Sequence, residues 1–441
     1  MSTFHATIEK LAFGGNGVCR INGKVCFVPF SSPGDEVRLA ITSEKRSYCI
    51  AHIEELLTAS PFRMTPPCPL FGVCGGCSWQ HIEYREQLAA KRQILAETLW
   101  RGARVDSDLV QTTIPSPSHV GYRSRVQFKL HHSKDTGLAV GFYRTGSHRV
   151  VDAGAGCPIL LPVLNDALSR FRSVLGACPD VRSIPKINID CADDGVIAVV
   201  HYTGRDRSAV TKFLTSRRSD LLPVTGMYLQ SDRMKPLMKV YGVDELTYSL
   251  SASGGPQCRM TYKAGGFAQV NRAQNQKMLD IVSHYAVFTG NEHVLDLYCG
   301  NGNLSLPLAS QVVQITGIEE FAGSIASAKS NCLKNGIQNA TFVCADAAGG
   351  TRLLAANGRA FDTVILDPPR TGAAESIPEI CRLNPATIIY ISCDPSTLAR
   401  DCGLLAGQGY QVVSSVPIDM FPHTYHIESV TLLHKLYVRL L

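Results

Sequence analysis

Strand and helix signals alternate through the second half of the chain, and each strand runs into a glycine turn or a carboxylate. Few architectures accept that pattern. Residues 293–303 (HVLDLYCGNGN) read as an apolar strand ending in glycines, with a helix from about Leu304. Residues 315–319 (ITGIE) form a second strand closing on Glu319, and residues 341–346 and 361–367 a third and fourth, closing on Asp346 and Asp367. Such alternation, from about residue 262 onward, predicts a parallel sheet, whose ligands bind outside the carboxyl ends of its strands. An acid after the second strand suits two ribose hydroxyls, because a carboxylate accepts two hydrogen bonds. The dinucleotide fingerprint needs a third glycine, and here Leu304-Ser305-Leu306 follow instead. Asp296 and Asp346 oppose a pyrophosphate and suit a cationic sulfonium carrying an amine and an adenine. S-adenosylmethionine is therefore expected ahead of NAD, with a ligand-free glycine turn as the plain alternative.

A second strand-to-helix turn follows at residues 390–395 (YISCDP). Ile388, Ile389 and Ile391 suit a buried strand, and residues 396–405 a helix. Pro395 fits the first helical position and Asp394 can cap the free amides. Cys393 then lies at the carboxyl edge of the sheet. A helix N-terminus favours its thiolate, while Asp394 works against it. It is a candidate nucleophile or a structural buried cysteine; position alone leaves both open. Residues 365–372 (ILDPPRTG) close the fourth strand with a rigid turn. In methyltransferases acting on exocyclic amines a similar turn ends in an aromatic residue that stacks on the base. Arg370 stands there in this chain.

The 441 residues suggest two to four domains. Residues 1–57 read as a small β module of short strands between Gly/Asn and Ser/Pro/Gly turns, as in an OB-type barrel, a fold that often binds nucleic acid. Arg20, Lys24, Arg38, Lys45 and Arg46 are its candidate phosphate contacts, or simply solvated surface. Residues 58–261 form a central domain and residues 262–441 the strand–helix domain. Apolar content of 45% with 18% charged residues describes a globular chain, and no apolar run approaches the ~18 residues of a membrane span. The first residues lack a basic-then-apolar leader, so a cytoplasmic protein is expected, with its 16 cysteines reduced. The net charge of +6 permits a polyanionic partner and equally serves solubility.

Three cysteines fall within residues 68–77 (CPLFGVCGGC), with glycines that let the backbone wrap a cofactor. Cys68, Cys74 and Cys77 need a fourth ligand, and Cys157, in its own Gly/Pro turn, is the best candidate. Zinc and an iron–sulfur cluster both remain open. Only Cys74 and Cys77 form a C-x2-C knuckle, which puts the cluster ahead. Residues 83–102 predict one amphipathic helix. Residues 121–129 alternate basic or polar with apolar side chains, as a half-exposed strand would, and with Tyr122 and Phe128 could floor an RNA site or be ordinary surface.

Taken together, SCDPSTLARD at 392–401, DMFPHTYHIES at 419–429, ILDPPRTG at 365–372 and FAQVN at 267–271 resemble the uracil-5 RNA methyltransferase family. The cysteine loop and the N-terminal module, a TRAM domain in that family, resemble its ribosomal-RNA branch. The resemblance implies an α/β class I (Rossmann-like) S-adenosylmethionine methyltransferase domain behind a TRAM barrel and a central α+β domain. It implies a [4Fe–4S] cluster on Cys68, Cys74, Cys77 and Cys157. It implies donor contacts from Gln269, Tyr298, Asn303, Glu319, Asp346 and Asp367, with Cys393 as nucleophile and Glu428 as base. His423 and His426, flanking that base, read as loop-shaping residues or substrate contacts. The expected partner is RNA, ribosomal rather than transfer RNA, with no DNA or membrane, and the expected state is a monomer. Other readings are a tRNA uridine-5 methyltransferase, a methyltransferase of exocyclic amines on RNA, and an RNA-binding iron–sulfur protein with an inactive catalytic domain.

Overall fold

The computed structural model describes residues 3–135, 137–232 and 235–436. Six strands open it: β1 (Thr3–Thr7), β2 (Lys10–Leu11), β3 (Gly17–Ile21), β4 (Lys24–Val28), β5 (Glu36–Glu44) and β6 (Tyr48–Thr58). They pair in the order β1-β5-β6-β4-β3-β2. Alternate side chains point inward, so Cys19, Cys26, Val28, Val37, Leu39 and Cys49 form a small core. Asp35, fully buried, accepts the N–H of Ser32 at 2.6 Å and of Ser60 at 3.0 Å, and pairs with Arg63 at 2.8 Å. Of the candidate phosphate contacts, Lys24 is paired with Glu44 and Arg38 with Glu55.

A long helix, α1 (Tyr84–Ala103), leads into the central sheet. Its strands are β7 (Arg125–Ser133), β8 (Gly137–Tyr143), β9 (Val150–Asp152), β10 (Lys186–Ala192), β11 (Gly195–His201), β12 (Gly226–Gln230) and β13 (Met238–Gly242). They lie in the order β13-β12-β11-β10-β7-β8-β9. Helices α2 (Pro162–Leu175) and α3 (Arg207–Ser216) share a core with Phe128 and its neighbours. The strand expected to present a basic face is occupied differently. Arg125 pairs with Asp190 at 2.9 Å, Gln127 donates to Asn188 at 2.7 Å, and Lys129 donates to Gln127. Tyr122 and Phe128, which the sequence left open as an RNA floor or part of an ordinary strand, are both buried. Alternation identified the strand correctly, but its polar side chains found cross-strand partners.

A hairpin, β14 (Glu245–Leu250) and β15 (Cys258–Lys263), then α4 (Arg272–Ala286), precede the last sheet. That sheet comprises β16 (His293–Leu297), β17 (Gln314–Glu319), β18 (Ala340–Cys344), β19 (Thr363–Leu366), β20 (Thr387–Ser392), β21 (Tyr410–Ile418) and β22 (Glu428–Lys435). Its order is β18-β17-β16-β19-β20-β22-β21, with β22 antiparallel to both neighbours. Helices α5 (Ser305–Leu308), α6 (Ala322–Lys334), α7 (Ala347–Ala356), α8 (Ile377–Leu383) and α9 (Pro395–Ala406) alternate with the strands. Val294, Leu295, Val364, Ile365, Ile388 and Ile389 are fully buried, as parallel strands covered on both faces require. The chain reverses its winding between β16 and β19, and a crevice opens there. Helix α1 packs against α9 rather than the central sheet: a Cβ on Gly102 would lie 2.7 Å from that of Ala399. Among the described residues no helix is long and apolar enough to cross a membrane.

Candidate active site and cysteine cavity

The β20–β22 ladder sets the central geometry. Ser392 lies opposite Ser429, so the next pair outward is Cys393 and Glu428, about 5 Å apart at Cα as facing antiparallel residues are. Asp367 follows the neighbouring strand β19. Asp394 caps α9 as expected, its carboxylate accepting the N–H groups of Ser396 at 2.9 Å and Thr397 at 3.1 Å. A cavity of about 570 Å³ opens over this edge. Cys393, Glu428, Asp367, Arg370, Gln269, Tyr298, Glu319, Phe421 and His426 line it. A smaller pocket shares Phe267, Gln269, Tyr298, Gly300 and Asp367 with it and adds Tyr248, Asp296 and Asn303.

Burial dominates the electrostatics here. It pushes the Cys393 thiol up to about 11, helped by the Glu428 and Asp367 carboxylates and opposed by Arg370. The stabilisation expected from the helix N-terminus is outweighed. Burial also holds Glu428 well above the usual carboxylate range, with Asp367 adding to the effect and Arg370 opposing it. Asp367 is raised to about 7 by burial, and Asp296 to about 7 by burial with Asp367 and Glu319 adding to it against the Ser305 hydrogen bond. The site is thus a cluster of buried acids around one thiol, with Arg370 as the cation facing them.

On the donor side, the turn after β16 passes through left-handed backbone at Tyr298 (φ 63°), Gly300 (56°) and Gly302 (85°). Glu319 accepts the N–H of Gly300 at 3.3 Å and of Phe321 at 2.8 Å. Asn303 is held by the Tyr248 hydroxyl at 3.0 Å and by Asn275 at 2.9 Å. Asp296 is buried, and its Oδ1 has no hydrogen-bond partner among the described residues. An unpaired carboxylate oxygen in a pocket lined by further acids fits a ligand that is cationic and carries amine protons. Asp346 stands apart. It caps α7 through the N–H of Gly349 at 2.7 Å and lines neither cavity, whereas its neighbour Ala347 does.

Cys68, Cys74, Cys77 and Cys157 line a separate cavity of about 180 Å³ beside β7 and β8. Burial lifts Cys77 to about 12 and Cys157 to about 11, and each is raised further by the other cysteines around the cavity. Thiols raised this far are neutral at ordinary pH. Among the described residues no group of three or more His, Cys, Asp or Glu closes on a point where one ion could sit. The donor set remains all thiolate, the ligand type an iron–sulfur cluster takes.

Arg370 and Phe421 line the larger cavity, although sequence reasoning assigned neither a site role, while Asp296, expected to suit a cationic cofactor, lines the smaller pocket. The signal for Arg370 was its place directly after the Asp-Pro-Pro turn. Phe421 carried no local signal. His423 is buried and shapes its loop, with backbone hydrogen bonds to Gln87, Ser78 and Trp79. His426 lines the larger cavity.

The family described as tRNA (Uracil-5-)-methyltransferase matches residues 243–436, and the TRAM domain of tRNA (uracil(54)-C(5))-methyltransferase matches residues 4–62. The 23S rRNA (uracil(1939)-C(5))-methyltransferase RlmD of Shewanella amazonensis is 34% identical over 96% of this chain and 94% of its own. That of Methylococcus capsulatus is 33% identical over 98% and 96%. The crystal structure of Pyrococcus abyssi tRNA (uracil-54, C5)-methyltransferase in complex with S-adenosyl-L-homocysteine superimposes with a TM-score of 0.74 at 24% identity, over 97% of this chain and 99% of that one. Fold and crevice define a class I S-adenosylmethionine-dependent methyltransferase with an N-terminal TRAM-like domain. Within that class the chain belongs to the RNA uracil-5 methyltransferase family, and its reaction is methylation of uridine carbon 5 from S-adenosylmethionine.

Proposed function

We propose that the target uridine lies in 23S ribosomal RNA, the substrate named for relatives that align over nearly the whole chain. Cys393 is the nucleophile and Glu428 the carbon 5 base. The observation that carries this reading is the β20–β22 register, from which a thiol and a buried carboxylate face one cavity. Carbon 5 of uracil is a weak nucleophile. Addition of the Cys393 thiolate to carbon 6 converts the ring into an enolate, from which carbon 5 attacks the methyl group. Carbon 5 then still carries its proton. Glu428 removes it, the ring double bond re-forms and the thiolate leaves. A carboxylate with a raised pKa is the stronger base for that step. Arg370 opposes the acids and moderates the cost of forming the thiolate beside them.

S-adenosylmethionine supplies the methyl group as a sulfonium electrophile. Gln269, Tyr298, Asn303, Glu319, Asp346 and Asp367 are assigned to holding it, with Asp296 supported as a further contact by its unpaired oxygen. The target base is flipped out of folded RNA at a cost of about a few kcal/mol. Cys68, Cys74, Cys77 and Cys157 are assigned to a [4Fe–4S] cluster. The cavity they share supports this, and such a cluster would tie the 68–77 loop to the turn at 157. Its role is structural, because metal binding energy serves as folding energy and the reaction needs no electron. The enzyme is assigned to the cytoplasm, as a monomer acting on RNA and not DNA.

Two experiments test the reading. The first maps 5-methyluridine in 23S and transfer RNA from cells with and without the gene; loss confined to transfer RNA would overturn the ribosomal assignment. In the second, Glu428→Gln should accumulate a methylated covalent enzyme–RNA adduct, because elimination is blocked after methyl transfer. Only free, unmethylated RNA with that variant would refute the role of Glu428.

A further inference from the structure

Phe421 and His426, on the connection between β21 and β22, and Glu428, at the start of β22, all line the larger cavity. A connection that delivers a base must itself be fixed, since loops are ordinarily the mobile part of a fold. Here five consecutive residues are gripped from outside. The carbonyl of Asp419 accepts from Gln274 Nε2 at 3.0 Å and that of Met420 from Asn271 Nδ2 at 3.3 Å. The carbonyl of Phe421 accepts from Lys91 Nζ at 3.1 Å and that of Pro422 from the Tyr122 hydroxyl at 3.2 Å. The N–H of His423 donates to Gln87 Oε1 at 3.0 Å, and its carbonyl accepts the N–H groups of Ser78 at 2.9 Å and Trp79 at 3.0 Å.

Lys91 differs from the other donors. Its side chain is 0% exposed and lies 2.5 Å from the Asp419 carboxylate, also 0% exposed. The Tyr84 hydroxyl donates to the other carboxylate oxygen at 2.7 Å. Satisfying a loop carbonyl needs no charge, as Gln274 and Asn271 demonstrate on the two residues before. Burying an ion pair carries a desolvation cost that apolar residues of equal volume avoid, so packing alone gives no reason for a lysine. The ammonium does what an apolar group cannot: it joins the Asp419 side chain to the Phe421 backbone, two residues apart.

We infer that Lys91 is a positioning residue for the methyl-transfer site, bridging Asp419 and the Phe421 carbonyl so that Phe421, His426 and Glu428 reach the cavity in register. The inference rests on the assignment of Glu428 as the base. Its test compares Lys91→Met, the neutral pair Lys91→Met/Asp419→Asn, and Glu428→Gln in the full chain, with a 23S ribosomal RNA transcript as substrate. Lys91→Met strands a buried carboxylate and can fail to fold, whereas the double variant leaves no unpaired charge. The double variant is expected to melt near wild type and to bind S-adenosylhomocysteine unchanged. Its elimination step should slow by about ten- to a hundredfold, the loss that a displacement near 1 Å produces, so that methylated covalent adduct accumulates. A folded double variant that turns over without adduct overturns the inference, as does one that loses donor affinity and every step equally. Adduct with Glu428→Gln but none with the double variant overturns the Lys91 role alone. No methylated adduct with Glu428→Gln overturns the base assignment and the inference with it.

Discussion

Two cavities of this protein, one at Cys393 and one at the 68–77 loop, are built on opposite principles. Cys393 is one sulfur among carboxylates, with Glu428 and Asp367 raising it and Arg370 opposing them. Cys68, Cys74, Cys77 and Cys157 share a cavity, and the sulfurs themselves raise one another. On the proposed function, the first arrangement would withhold a nucleophile until a substrate changes its surroundings, and the second would withhold ligands until a cation neutralises them. Burial lifts the pKa in both, so a raised thiol pKa does not distinguish a catalytic cysteine from a ligand. The neighbours do.

The sharpest break in the comparison is removal of each sulfur. Cys393→Ser should lower methyl transfer to RNA by up to about 10⁶-fold, the scale of losing a covalent nucleophile. Calorimetry should find its S-adenosylhomocysteine affinity intact; undiminished methylation would refute the nucleophile. Cys77→Ala should instead lower iron and sulfide content and thermal stability while donor affinity survives. Full iron loading in that variant, or zinc in the wild type, would refute the cluster.

A smaller effect separates the cavities by pH. With Cys393 held near 11, its alkylation by iodoacetamide should accelerate about tenfold per pH unit below that value, as the thiolate fraction grows. Glu428→Gln removes a carboxylate that raises Cys393 once it is ionised and should speed alkylation at alkaline pH; Arg370→Gln should slow it. The smallest effect concerns stability. Asp367 binds its proton more tightly folded (about 7) than unfolded (3.8). It therefore adds stability that is fully present below about pH 4 and lost as pH rises toward 7. The Tm of Asp367→Asn should fall less across that window than the wild-type Tm, and parallel slopes would count against the assigned burial.

Much of the catalytic domain was legible because its signals are local. The glycine turn after β16, the acid ending β17 and the Asp394 cap each depend on a few adjacent residues, and each lies where expected. For the strand at 121–129 the alternation left an RNA floor and ordinary surface both open, because it reports a pleat and cannot say what faces it; Asp190 and Asn188 come from another strand. Helix α1 showed its length but not its destination. Gln87 and Lys91 look like an exposed polar face until the 419–423 loop is brought against them.

By itself the sequence determined the alternation that makes a parallel sheet, the turn that exposes Cys393 and the grouping of cysteines at 68–77. Hydrophobic period, glycine freedom and capping act between near neighbours and need no other part of the chain. Tertiary structure decided what stands beside each of these. A single antiparallel strand, β22, inserted between β20 and β21, brings Glu428 next to Cys393. Which residues face each other across a ladder is set by register, and register is a property of two strands together.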